Sequence, residues 1–399
     1  MLKMSEKVKK VLVVGGGFGG VKVALELCGN KNFDVILLSN RSMFEYHPTL
    51  YRTATGGSSA VSSIELAEIF NSKPVKIIID DAVKLDRSSK RLETASGERL
   101  AYDILVLALG SVTNYFGIRG LKEYSYGIKS LAEAEELKKH LHQQLTDDRK
   151  PDLNYIIVGG GSTGIELAGA MPSYVKRIMK KHNLRDRKLH IDLVEAAPRL
   201  LPNMPPKVSK VLSRRLKRLG VKLYLDMPVQ AETANTLLLD GRQVRSHTVI
   251  WTAGTVTNSF FVENNFILTE KGRVKVDKLM QAWPGVFVIG DNADTPYSGM
   301  AQTALYDAKY VAENLIRHTE EKKLRPYKPK KPIFITPAGP RWAALVWGHL
   351  QIYGWLGWAL RQAANWLGYK DAEPWWRATE LLLAGADQED KCTVCDQAN

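Results

Sequence analysis

The feature that most restricts the fold of this chain is a strand, a glycine turn and a helix, met twice. Val11 to Val14 is an apolar run rich in β-branched residues, Gly15 to Gly20 is a glycine-rich turn, and Val21 to Leu27 has helical apolar spacing. Asp34 to Leu38 then reads as the next strand. The same order restarts after Pro151, with Tyr155 to Val158 as strand, Gly159 to Gly164 as turn, Ile165 to Lys181 as helix and Leu189 to Val194 as the following strand. Each opening is a βαβ unit, which needs a parallel sheet covered by helices. A helix near Ile64 to Phe70 and strands near Val75 to Ile79 and Ile104 to Ala108 keep the first half in the α/β class. No short-period repeat is visible, so the recurrence predicts two Rossmann-like dinucleotide-binding domains in tandem and not a solenoid.

The glycines have separable duties. Gly15 allows a tight turn, Gly17 lets a pyrophosphate approach the backbone, and Gly20 lets the helix pack closely on the strand, with Phe18 and Gly19 completing the turn. The phosphates would sit at the helix N-terminus, where unpaired N–H groups and the helix dipole favour negative charge. The end of the following strand should present a group to the ribose. Here it carries Ser39 followed by Asn40, which hydrogen-bond a ribose more weakly than a carboxylate does. In the second turn Gly159, Gly161 and Gly164 enclose Ser162 and Thr163, and the next strand ends in Glu195. A carboxylate there accepts from the ribose 2′-OH and repels a 2′-phosphate, favouring NADH over NADPH. Arg199 nearby would temper that preference, and the plain alternative for Glu195 is an exposed strand-end charge.

At 399 residues, with 45% hydrophobic and 25% charged, the chain can bury the cores of two or more domains. Its net charge of +14 favours an anionic partner, such as nucleic acid, membrane headgroups or an acidic substrate, or is a solvated basic surface. No C₂H₂, RRM or homeodomain pattern appears, so nucleic acid is not expected as a partner. Three cysteines, Cys28 and the Cys392/Cys395 pair, suggest no disulfide framework and a reducing compartment. The N-terminal MLKMSEKVKK lacks the apolar stretch of a signal peptide. No metal site is expected, and Cys28 reads as core.

Two further strand ends, Y-D-I-L-V-L-A-L-G-S at Tyr102 to Ser111 and V-I-W-T-A-G at Val249 to Gly254, resemble the flavoproteins with two dinucleotide-binding domains. F-E-Y-H-P-T-L-Y-R-T-A-T-G from Phe44, G-G-G-S-T-G-I-E-L-A-G from Gly159, V-E-A-A-P-R-L-L-P from Val194 and P-G-V-F-V-I-G-D from Pro284 resemble type II NADH:quinone oxidoreductases. The resemblance implies an FAD-binding domain over residues 1–118 and 258–325 and an NADH-binding domain over 119–257. It implies that Asp291 binds the FAD ribitol. Val83, Ala108, Leu109 and Gly110 would line the cofactor, while Ala253 and Gly254 would close the cofactor region from the second domain. Ala301 and Gln302 match the segment beneath the isoalloxazine. Tyr306 stands where that family has a second glutamine, which bears on the choice of acceptor.

Glu166 corresponds to the family's glutamate near the flavin and nicotinamide, able to orient the nicotinamide or relay a proton, unless it is only a helix N-terminal carboxylate. The implied activity is hydride transfer from NADH to FAD and electron delivery to a membrane quinone without proton pumping. Dioxygen or a soluble redox protein is the competing acceptor. A non-enzymatic redox sensor that binds a polyanion is the competing class.

Past Arg325 the composition changes. R-P-Y-K-P-K-K-P reads as a linker, and seven of the nine tryptophans fall between Trp342 and Trp376. Residues 342–360 carry no Asp, Glu, Lys or Arg, but Gly348, His349, Gln351 and Gly354 interrupt them, which suggests a β-hairpin and then an amphipathic helix. On that helix Trp355, Leu356, Ala359, Leu360, Ala363, Trp366 and Leu367 share an arc opposite Arg361, Gln362 and Asn365. Pro374 and Trp375 to Arg377 open a second short helix. Residues 326–399 are thus expected to be a Trp-rich membrane-associating region, peripheral on the cytoplasmic face, with a homodimer interface or ordinary core as the alternative.

Overall fold

The computed structural model describes residues 8–146, 152–184, 188–246 and 248–387. Strand β1 (Lys9–Val14) enters the first glycine turn and helix α1 (Phe18–Leu27), and β2 (Phe33–Ser39), β3 (Val75–Ile79) and β4 (Ile104–Leu107) follow. Further on, β5 (Asp152–Val158) enters the second turn and helix α2 (Ser162–Lys181), followed by β6 (Lys188–Glu195), β7 (Val221–Leu225) and β8 (Thr248–Trp251). The chain then returns to the first sheet through β9 (Gln281–Trp283) and β10 (Val286–Val288) before helix α3 (Ala301–Thr319).

The first sheet has the order β9-β10-β4-β1-β2-β3 and the second β7-β6-β5-β8. The shared part is the same in both: the strand before the glycine turn lies between its successor and a later strand, β4 or β8, and all those pairs are parallel. Such strands, covered on both faces, read as unbroken apolar runs. Val11 to Val14 and Tyr155 to Val158 are accordingly buried throughout. Each such side chain contributes about 1.5–3 kcal/mol of burial. The two units are joined by a short antiparallel ribbon, Ser111–Thr113 against Thr255–Thr257.

The structure differs from the sequence expectations in three places. Both helices begin inside what reads as the glycine turn, at Phe18 and Ser162. The segment Ile64 to Phe70 splits into a strand, Ser63–Glu65, paired with Met43–Glu45, and a single helical turn, Leu66–Ile69. The expected hairpin is a three-stranded antiparallel sheet, β11 (Phe334–Pro337), β12 (Ala343–Trp347) and β13 (Leu350–Gly354), because the segment just past the linker adds a strand. Helix α4 (Trp355–Lys370) lies close on this sheet, where a Cβ on Gly357 would come within 2.4 Å of the Ala343 carbonyl oxygen. Helix α5 (Trp375–Asp387) packs beside it, with the Trp366 indole donating to Thr379 at 2.9 Å.

Helix α4 inverts the usual arrangement. Trp355, Leu356, Leu360 and Leu367 are 64%, 52%, 37% and 56% exposed, whereas Asn365 and Tyr369 are buried and Arg361 nearly so. Trp375 and Trp376 of α5 are 65% and 58% exposed. The polar arc therefore faces the protein and the apolar arc faces outward. Among the described residues no helix is long and apolar enough to cross a membrane.

Candidate active site

The two glycine turns have the same construction. Gly15 and Gly159 take left-handed backbone angles, φ +115° and +119°, which only glycine adopts without strain. A Cβ on Gly20 would lie 1.8 Å from the Gly15 carbonyl oxygen, and one on Gly164 would lie 1.9 Å from that of Gly159, so the helix can cross the turn only without a side chain. Gly17 and Gly161 have no atom within 4 Å of a Cβ position and face open space. Each is also the N-cap of its helix, and no side chain caps either one. Two helix N-termini with uncapped N–H groups and a clear approach at the second glycine fit the pyrophosphate of a dinucleotide.

The strand ends distinguish the two cradles. Ser39 is buried beside Gly16, where a Cβ would meet its hydroxyl at 2.4 Å, and that hydroxyl donates to the Arg41 carbonyl at 2.8 Å, while Asn40 is exposed. Glu195 occupies the equivalent place beside Gly160. Its two oxygens accept the N–H of Gly160 at 2.5 Å and of Ala197 at 2.7 Å, leaving lone pairs for a ribose. Arg199 is turned away from this carboxylate. Its guanidinium donates to the carbonyls of Pro202 and Met204 and to Ser209, so it binds its own loop together.

Ala108 backs the first turn, with its carbonyl oxygen 2.3 Å from where a Gly15 Cβ would be, and Leu109 and Gly110 continue from it, Gly110 at φ +66°. Asp291 lies in the short turn Gly290–Asn292 and accepts from the Ser111 hydroxyl at 2.7 Å, with Lys129 donating to the same hydroxyl at 3.1 Å. Val83 is exposed at a bulge, its carbonyl held by Asn264 at 3.1 Å. Ala253 and Gly254 follow β8, and Gly254 packs against Phe116.

Glu166 is buried in the second turn of α2, and burial pushes its carboxyl up to about 7 against the pull of Arg361 and Arg52. Arg361, on the inward face of α4, lies 3.4 Å from Glu166 and donates to the carbonyls of Ile335 and Pro48. Arg52 donates to the Gln362 amide oxygen at 3.1 Å, and the Tyr46 hydroxyl donates to the Asn365 carbonyl at 3.3 Å. The polar arc of α4 thus satisfies the segment Tyr46 to Arg52 and the carboxylate of α2 together. In the sequence Arg361 stood only on the arc opposite the apolar one, with no partner assigned, and Arg52 was not singled out. The available signal was the arginine in an otherwise uncharged stretch, opposite the apolar arc.

Gln302 and Tyr306, read as bordering an acceptor pocket, are both engaged by the linker. Gln302 accepts the Ile333 N–H at 2.7 Å, and the Tyr306 hydroxyl donates to the Lys328 carbonyl at 3.0 Å. Cys28, the one cysteine among the described residues, is half-buried at the end of α1, and burial pushes its thiol up, away from a reactive thiolate. Cys392 and Cys395 lie outside the described residues. Among the described residues no cluster suits a metal ion.

Residues 9–308 match the family described as pyridine nucleotide-disulphide oxidoreductase. The chain is 29% identical over 339 residues to a type II NADH:quinone oxidoreductase of Staphylococcus epidermidis, covering 79% of this chain and 83% of that protein. Among solved structures it is similar to the NDH2 of Plasmodium falciparum in complex with NADH, with a TM-score of 0.86 at 16% identity over 95% of this chain and 98% of that one. It is also similar to the sulfide:quinone oxidoreductase of Aquifex aeolicus, with a TM-score of 0.78 at 19% identity over 89% of each chain. At these identities the structural likenesses speak for the fold. The family match spans both glycine turns, Glu166, Asp291 and the start of α3, so this chain is an enzyme of the pyridine nucleotide-disulphide oxidoreductase family, similar to the type II NADH:quinone oxidoreductases.

Proposed function

We propose that this enzyme oxidises NADH through a bound FAD and passes the electrons to a quinone at a membrane surface, without pumping protons. The observation that carries the reading is the duplicated, uncapped glycine cradle, with a buried carboxylate two residues past the second one. The first cradle and Asp291 would hold FAD, within a unit formed by residues 1–118 and 258–325. The second cradle, in residues 119–257, would hold NADH, with Glu195 accepting from its ribose hydroxyls. The bound flavin supplies two-electron chemistry, taking a hydride from nicotinamide and returning electrons to an acceptor.

The protein's part is to position the reactants and to manage a proton. The Glu166 carboxyl, pushed up to about 7 by burial, can hold a proton and release it to a reduced acceptor, while Arg361, 3.4 Å away, fixes the carboxylate. The outward apolar arc of α4, with Trp375 and Trp376 of α5, supports a peripheral membrane contact, since tryptophans and basic residues favour the interfacial zone, and a reducing compartment would make the cytoplasmic face its place. Lys370 over the Trp366 ring, at 5.4 Å, adds a cation at that edge.

The reading is tested with the purified enzyme in oxygen-free buffer containing phospholipid vesicles. The expected result is an FAD-type absorbance spectrum and NADH consumption that requires an added quinone and rises with vesicles. Consumption that proceeds only with dioxygen, at the same rate with or without quinone, would replace the quinone by oxygen as the acceptor.

A further inference from the structure

Asp307 is wholly buried in the middle of α3 and has no part in the reading above. One carboxylate oxygen accepts the Gly290 N–H at 3.1 Å and the other accepts the Tyr327 hydroxyl at 2.5 Å. Burial pushes the carboxyl up to about 6, Asp291 adds to that push, and the two donors oppose it. A charge of this kind is costly to bury where an apolar side chain would pack, so what it holds together matters.

It joins two segments distant in sequence. Gly290 opens the turn that presents Asp291. Tyr327 belongs to the Lys/Pro-rich linker, which runs antiparallel along α3. Arg317 donates to the Lys323 carbonyl, Asn314 and Tyr310 to that of Arg325 at 2.8 and 2.6 Å, and Tyr306 to that of Lys328. Gln302 receives the Ile333 N–H at the end of the run. Among these ties, the bond between Tyr327 and Asp307 is the one whose carboxylate also grips the Asp291 turn.

We propose that Asp307 is a positioning residue for the Asp291 turn, and that the linker 323–333, latched to it through Tyr327, is a strap that keeps this turn in its flavin-binding shape. The inference rests on the reading that the first unit holds a flavin. A carboxylate accepts from both donors at once, whereas an amide in the same orientation accepts from one. Phenylalanine at 327 would leave the buried charge with a single described donor. The strap also continues into β11, whose Ile335 carbonyl receives Arg361, so it is anchored at both ends.

The test measures the flavin dissociation constant by fluorescence for the full-length enzyme and for Tyr327→Phe, Asp307→Asn and Tyr310→Phe. The melting temperature of each flavin-free protein is measured alongside. Tyr310→Phe removes a strap tie without touching Asp307. The expected result is a constant raised about tenfold by Tyr327→Phe and by Asp307→Asn, the scale of one hydrogen bond to a charged group. Tyr310→Phe should change it less than about twofold, with the flavin-free Tyr327→Phe and Tyr310→Phe proteins melting together. If Asp307→Asn fails to fold, Tyr327→Phe decides alone. Flavin affinity unchanged in Tyr327→Phe, or lowered equally in Tyr310→Phe, or lowered only in step with melting temperature, would overturn the positioning role. Native protein that takes up no flavin would instead overturn the reading of the first unit.

Discussion

The two cradles are alike in backbone and opposite in charge. Two residues past the third glycine, α1 carries Lys22 and α2 carries Glu166. Both reach the same C-terminal element, Lys22 bonding Asp371 at the end of α4 at 3.0 Å and Glu166 facing Arg361 in its middle at 3.4 Å. At the strand ends the first cradle has a buried serine and the second a carboxylate that accepts two backbone N–H groups. The comparison separates what any dinucleotide turn requires from what sets its ligand. The positive-φ glycine and the helix crossing recur unchanged, while the side chains around them are free to differ. It also shows why α4 presents apolar residues outward: its polar arc holds α2 and the segment Tyr46 to Arg52, and the residue that ends it holds α1.

The largest effect should come from breaking the shared geometry. Gly20→Ala and Gly164→Ala each place a methyl within 1.9 Å of a carbonyl oxygen in its own turn. The first should abolish bound flavin, and the second should retain the flavin spectrum while weakening NADH binding at least about a hundredfold, both read by absorbance titration. Loss of flavin from Gly164→Ala alone would reverse the assignment of the cradles.

Next in size is Glu166→Gln, expected to slow reoxidation by quinone about a hundredfold while reduction by NADH changes little. The carboxyl is held above its unfolded value of 4.5, at about 7, so its stabilising contribution is present below pH 4.5 and lost as pH rises through 7. The melting temperature of native protein relative to Glu166→Gln should therefore fall over that window. A difference that stays constant with pH would contradict the buried-carboxyl account. Glu195→Ser makes the second strand end like the first and should reduce the preference for NADH over NADPH about tenfold, measured as a ratio of kcat/KM values. Ser39→Ala should have the smallest effect, about 1 kcal/mol or less on stability with a few-fold loss of flavin affinity, since its hydroxyl holds one loop carbonyl.

The cradles were legible in the sequence because each glycine answers a local demand of sign or space. The strand ends were legible too, as Ser39 and Glu195 close their strands at the expected place. Helix boundaries were less so, since Phe18 and Ser162 to Thr163 are helical although they read as turn. The packing of α4 was only half legible. Its apolar arc and the opposite arc of Arg361, Gln362 and Asn365 were identified, but periodicity gives two faces without saying which partners either one meets. Only the positions of Pro48, Ile335 and Glu166, far away in sequence, show that the polar face has partners. Tyr306 was placed at a pocket by the family resemblance alone, and its contact with Lys328 was not legible because it depends on how the linker folds back over α3.

Two similar cradles are proposed to hold two different dinucleotides in one electron path, a claim about flavin and nicotinamide together. It is tested most directly by anaerobic rapid mixing of the native enzyme with NADH or NADPH, followed by a soluble quinone analogue, while flavin absorbance is recorded. NADH should bleach the flavin fast and NADPH much more slowly, and adding the quinone should restore the absorbance fast. Equal bleaching by both nucleotides would contradict the role given to Glu195, and a spectrum without flavin would contradict the claim itself.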